Sequence, residues 1–192
     1  MARRSSDRDR QPAVKRSSKA RSPAAPVVAS GFDPDAAATG DGLFGLDTLP
    51  EAAKVVVIPV PFDATTSYRP GTARGPEHVL EASKQVDLED IQYGPIWQAG
   101  IAMLPVPKDI ASFSKRARAA AEPVIMAGGA EPGNKAHAKA VAAVDAASER
   151  VHGYVASESE RILDRGSIPA VLGDEAERAR VVTTEHLSLI HI

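Results

Sequence analysis

An α/β fold, with a parallel sheet between helical layers, is what the sequence predicts. Three observations carry this expectation. Short apolar runs of strand length recur at Val55–Val60, Gly100–Leu104 and Ile168–Leu172. Stretches that read as helices separate them, and strands alternating with helices imply parallel pairing with right-handed crossovers. Parallel sheets also require both faces to be covered, which makes a three-layer αβα arrangement the natural packing.

The first run is almost entirely β-branched, and Pro59 and Pro61 close it, because a proline cannot donate to a sheet ladder. A polar loop follows from Asp63 to Gly75, with turn formers at Pro70-Gly71. Gly75-Pro76-Glu77 reads as a helix start: glycine caps, proline suits the first helical position, and a carboxylate favours the positive helix end. Val79, Leu80, Ser83 and Val86 are expected along one face of that helix. Val86–Ile91 is a further extended candidate. The run Gly100–Leu104 is ended by Pro105 and Pro107. Ser112 is a candidate cap for a helix carrying Phe113, Ala117, Ala120 and Ala121. Pro123 is expected to kink or restart it, and Gly128-Gly129 to end it.

From Asn134 to Asp164 the residues are dominated by good helix formers. Val141, Val144, Ser148, Val151, Val155, Glu158 and Ile162 form a stripe of threes and fours. Its polar interruptions favour packing on a core over a coiled coil. Gly166 is a natural stop, and Ile168–Leu172 leads to Gly173.

The charge is unevenly placed. Residues 1–30 hold eight Lys or Arg and two Asp, whereas the whole chain has a net charge of −2, so a basic tail precedes an acidic body. That tail has too few apolar residues to offset the entropy of ordering, and is expected to be disordered. Arg3-Arg4 is followed by no apolar region, which argues against an export signal; Asp7 and Asp9 argue against a transit peptide. The tail has no aromatic residue to stack on bases, so nucleic acid is not an expected partner. The chain has no cysteine, which excludes disulfides and thiolate metal sites. It has no apolar run of membrane-spanning length. A cytoplasmic location is expected. Leu43-Phe44-Gly45-Leu46, in the polar segment before the first strand, is expected to anchor against the body.

The residues V-P-F-D at Val60–Asp63, then S-Y-R-P-G-T-x-x-G-P at Ser67–Pro76, then E-A-S at Glu81–Ser83, resemble the N-terminal part of the ureohydrolases, the arginase and agmatinase enzymes. The likeness is to agmatinase-like members and covers about Phe44 to Gly173. Tyr68, Pro70, Gly71, Thr72, Gly75 and Pro76 are the family-signature loop. The resemblance implies a partial arginase-like fold in which the strand at Val55 lies between those at Gly100 and Ile168. It also implies a small guanidino substrate hydrolysed to urea and an amine, two manganese ions bridged by a hydroxide, and a homo-oligomeric parent. Paired cations lower the pKa of water and hold it over the reacting carbon.

The family takes its metal ligands from G-G-D-H, D-x-H-x-D and D-x-D-x-x-D-P. Here the third strand continues as V-L-G-D-E-A: Gly173-Asp174 match part of the first motif, and Glu175 stands where the histidine is expected. The two later motifs do not occur. No catalytic residue and no metal ligand is therefore assigned, and no bound manganese is expected on this chain. His78, His137 and His152 fall on expected helices without carboxylates at ligand spacing and read as surface or half-buried side chains. Substrate-binding residues are not identifiable.

Leu187–Ile192, L-S-L-I-H-I, resembles the in-frame translation of an adaptor used in DNA sequencing libraries. From Asp174 onward, unpatterned charged residues replace the expected motif. The expected organisation is a disordered tail at 1–30, the N-terminal part of a ureohydrolase domain at 31–173, and an aberrant tail at 174–192. The chain is then expected to be an inactive fragment. The rival reading is a non-enzymatic α/β binding or interaction module with a basic tail.

Overall fold

The computed structural model describes residues 32–66 and 69–173. The basic tail at 1–30 and the segment at 174–192 lie outside the described residues, as does Tyr68. Three strands, β1 (Val55–Pro59), β2 (Ile101–Met103) and β3 (Ile168–Leu172), form a parallel sheet in the order β2-β1-β3. This is the expected order. β1 pairs with β2 from Val55↔Ile101 to Val57↔Met103, and with β3 from Val55↔Ile168 to Pro59↔Leu172. Pro169 is tolerated because, among the described residues, β3 has a neighbour on one side only. Ile168 donates its N–H to Lys54 and Leu172 accepts from Val60, so the alternation along β3 turns Pro169 to the open edge.

Three helices connect and cover the strands: α1 (Gly75–Ser83), α2 (Lys108–Met126) and α3 (Lys135–Asp164). Side chains alternate along β1. Val56 and Ile58, with Val60 beyond them, join Ile110, Ala117, Ala121, Val144, Val151, Val155 and Ile162 in the main core under α2 and α3. Val57 faces the other way, into a smaller cluster with Leu43 and Ala170, flanked by Leu80 and Phe44. The sheet thus has helical cover on both faces, the three-layer arrangement expected. The anchor at Leu43–Leu46 is also found. Leu43 and Leu46 are buried, and Phe44 donates its N–H to the Ser83 hydroxyl at 2.9 Å. Ser83 in turn donates to the Leu80 carbonyl, which locks the anchor onto α1.

Four details depart from the sequence expectation. In α1 the buried side is Pro76 and Ser83 with Leu80 half-buried, whereas Val79 and Val86 are exposed. Val86–Ile91 forms no strand. The Asp87 carboxylate accepts from the Glu89 N–H, and that of Asp90 from Gln92 and Tyr93, and these turns leave Ile91 fully exposed. α2 starts before Ser112, with Pro107 at its cap, and runs unbroken past Pro123. The bond Pro123 cannot make would reach Ala119, which is exposed, so water can serve that carbonyl. In α3 the buried stripe is Val144, Ala147, Val151, Val155, Ser159 and Ile162. Ala147 and Ser159 replace Ser148 and Glu158, and Val141 is exposed. The stripe has no large polar interruption, because small residues let α3 approach its neighbours closely. Asn134 caps α3, accepting from Ala136 and His137.

Candidate functional site at the carboxyl end of the sheet

Ligands in open α/β sheets bind outside the carboxyl ends of strands, where strand order reverses. In the order β2-β1-β3 that point is the end of β1, flanked by β3. The chain leaving β1 enters the loop of residues 63–74, and the chain leaving β3 reaches Gly173. Gly173 has φ +154°, and a Cβ built there would lie 2.5 Å from the Val60 carbonyl oxygen. Only glycine lets the two strand ends close together in this way.

Asp63 organises the loop. Its Oδ2 accepts from the Gly71 N–H at 2.8 Å and from the Ala73 N–H at 3.4 Å. Its Oδ1 accepts from the Ser114 hydroxyl at 3.2 Å, and its own N–H donates to Ser114 Oγ at 3.1 Å. Ser114 lies on α2 and is 2% exposed. One turn further along α2, Arg118 donates to the Thr66 carbonyl. Gly71 takes φ +142°, a conformation that a side chain would strain. Thr72–Arg74 then forms a 3-10 turn that runs directly into α1.

The signature residues fall into two groups. Gly71, Gly75 and Pro76 are structural parts of the loop-to-helix transition, and Pro76 is buried. Pro70 and Thr72 are exposed. Asp63, Ser114 and Arg118 were not singled out from sequence as a set. The available signal was that Asp63 is the one carboxylate between residues 63 and 75. Beside the loop, between α2 and α3, lies a groove of about 230 Å³ lined by Thr65, Ala121, Val124, Ile125, Val141 and Val144. Its walls are apolar, with Asp145 at the margin.

His78 is exposed on α1, and His137 and His152 are half-buried on α3. His137 Nδ1 accepts from the Glu131 N–H at 3.2 Å, beside the α3 cap. Asp174 and Glu175 fall outside the described residues. Among the described residues no group of three or more His, Asp or Glu could hold a metal ion. Asp63, with both oxygens engaged by loop and helix donors, makes a poor start for a ligand set. The described residues therefore do not fit a two-manganese centre. On α3, burial pushes the Tyr154 hydroxyl up to about 12, with Glu158 and Asp109 adding to the shift and Arg161 opposing it. Among the described residues no helix is long and apolar enough to cross a membrane.

Two of the relatives the chain matches are N(1)-aminopropylagmatine ureohydrolases. That of a Synechocystis species is 57% identical over 42 residues, 22% of this chain and 14% of that relative. That of Thermus thermophilus is 51% identical over 41 residues, 21% of this chain and 14% of that relative. The alignments thus span about a seventh of the length of these relatives. No solved structure matches the chain significantly. Residues 53–179 match the model of the arginase family, and these include all three strands, the loop after β1 and the three helices. The chain therefore belongs to the arginase family.

Proposed function

We propose that this chain is the N-terminal part of an agmatinase-like ureohydrolase whose full-length form hydrolyses a linear guanidino compound to urea and an amine. The observation that carries this reading is the loop signature from Asp63 to Pro76, set at the carboxyl end of β1 in a chain of the arginase family. Agmatine is one substrate of this class. The name of the two relatives adds N(1)-aminopropylagmatine, which carries the same guanidinium on a longer amine. The parent would be a cytoplasmic homo-oligomer that binds two manganese ions through residues absent from this sequence.

This chain by itself is proposed to be inactive. It lacks D-x-H-x-D and D-x-D-x-x-D-P, and has Glu175 in place of the expected histidine. A two-metal hydrolase that has lost most of its ligands has also lost the means to ionise its water near neutral pH. The purified chain is expected to release no urea from agmatine or N(1)-aminopropylagmatine in excess manganese. Manganese-dependent urea release by this chain, abolished by Glu175→Ala, would falsify the proposal. Re-reading the parent DNA past the codon for Gly173 supplies the complementary test. A frame restoring G-G-D-H and both Asp-rich motifs, and a urea-releasing product, are expected. A verified stop codon after the present tail would favour a stand-alone interaction module.

A further inference from the structure

We propose that Asp63 and Ser114 are positioning residues: together they latch the loop after β1 onto helix α2. The loop has two limbs. The outgoing limb is held on α2 at two places one helical turn apart, Asp63 on Ser114 and the Thr66 carbonyl on Arg118. The returning limb is reached from the same aspartate. It is tied back through the Asp63 carboxylate, which receives the N–H groups of Gly71 and Ala73. Asp63 and Ser114 satisfy each other reciprocally, backbone N–H to hydroxyl oxygen and hydroxyl to carboxylate. Ser114 is almost fully buried, so water cannot readily replace either bond. A rotation or shift of α2 is thereby transmitted through one carboxylate to Gly71, 51 residues back along one bond and eight forward along the next. Its bearing on a guanidino substrate rests on the proposed function, because the loop lies where that substrate would enter; the latch itself does not.

Amide hydrogen exchange on the full chain tests it without substrate or metal. In Ser114→Ala, the Gly71 and Ala73 amides are expected to exchange about tenfold faster, the scale of one lost hydrogen bond, although both donate to Asp63. The Val56 and Ile58 amides of β1 should keep their rates. Asp63→Ala should produce the same loss. Asp63→Asn should restore protection to within about threefold: its carbonyl can take the loop N–H groups while its amide donates to Ser114 Oγ. Gly71 exchange unchanged by Ser114→Ala, or an Asp63→Asn variant as fast as Asp63→Ala, would overturn the latch. If Ser114→Ala unfolds, visible as lost β1 protection, the two Asp63 variants decide. The outcome is independent of urea release, so failure of the latch and failure of the proposed reaction are distinguishable.

Discussion

The two faces of the sheet are built to different standards. Under α2 and α3, β1 contributes Val56 and Ile58, with Val60 just beyond it, to a cluster of seventeen buried residues that includes Val151 and Ile162, neither measurably exposed. On the opposite face the buried hydrophobic cluster among the described residues is just Leu43, Val57 and Ala170, and the partners around them, Phe44, Leu80, Met103 and Leu172 among them, are only partly buried. The difference follows from what each connection can supply. The two long helices bring a continuous small-residue stripe to the first face. The short α1 and the Leu43–Gly45 turn bring a few side chains to the second. Burial is worth about 25 cal/mol per Å² of apolar surface, so the stability of this chain should be concentrated on one side.

Adjacent residues of one strand measure that asymmetry directly. Ile58→Ala removes a side chain with no exposure from the thick face and should cost about 3–4 kcal/mol in urea denaturation. Val57→Ala, on the thin face and 5% exposed, should cost about 1–2 kcal/mol. The chemistry of the two truncations differs by one methylene group, which accounts for only about 0.8 kcal/mol of that gap. Equal losses would mean that the second face is as tightly closed as the first, and the comparison would fail.

Gly173 offers a test where the two faces meet at the end of the sheet. A Cβ there would press on Val60, both its carbonyl oxygen and its own Cβ, at 2.5 and 2.7 Å, and φ is positive. Gly173→Ala should therefore cost about 2 kcal/mol. The loss should appear in both β1 and β3 amide protection, because Val60 N–H bonds Leu172 across the same junction. Loss confined to β3 would show that β3 is held by the thick face alone and that its contact with β1 is expendable.

Legibility in the sequence followed the same divide. Strands β1 and β3 are written in β-branched or apolar runs with prolines and glycines at their ends, and no competing local bond disturbs them. The anchor at Leu43–Leu46 was visible as an apolar cluster in a polar segment. Val86–Ile91 misled because alternation of apolar residues says nothing about Asp87 and Asp90, whose carboxylates capture nearby N–H groups and turn the chain. The α3 stripe was displaced by one residue at two positions. A spacing of threes and fours between the valines admits Ser148 as well as Ala147 and Glu158 as well as Ser159, whereas close packing selects the smaller side chain of each pair. The strand order came from family likeness, since three short strands permit other orders. The Asp63–Ser114 bond joins residues 51 apart, and no local pattern marks such a pair.

The smallest expected effect lies on the solvent side of the thick face. Gly153 sits inside α3, between buried Val151 and Val155, yet is itself exposed. A Cβ built there meets nothing within 4 Å. Alanine should therefore fit without any shift, and it reduces the entropy lost when the helix forms. Gly153→Ala should stabilise the chain by about 0.5–1 kcal/mol, a rise in Tm of about 2–3 °C at this size. The gain depends on α3 being helical through its middle in the native chain and frayed only on global unfolding. If α3 instead opened locally around Gly153, the substitution would slow amide exchange at Val151 and Val155 without raising Tm. That result would place the weak point of the molecule inside its thicker face, against the asymmetry argued from burial.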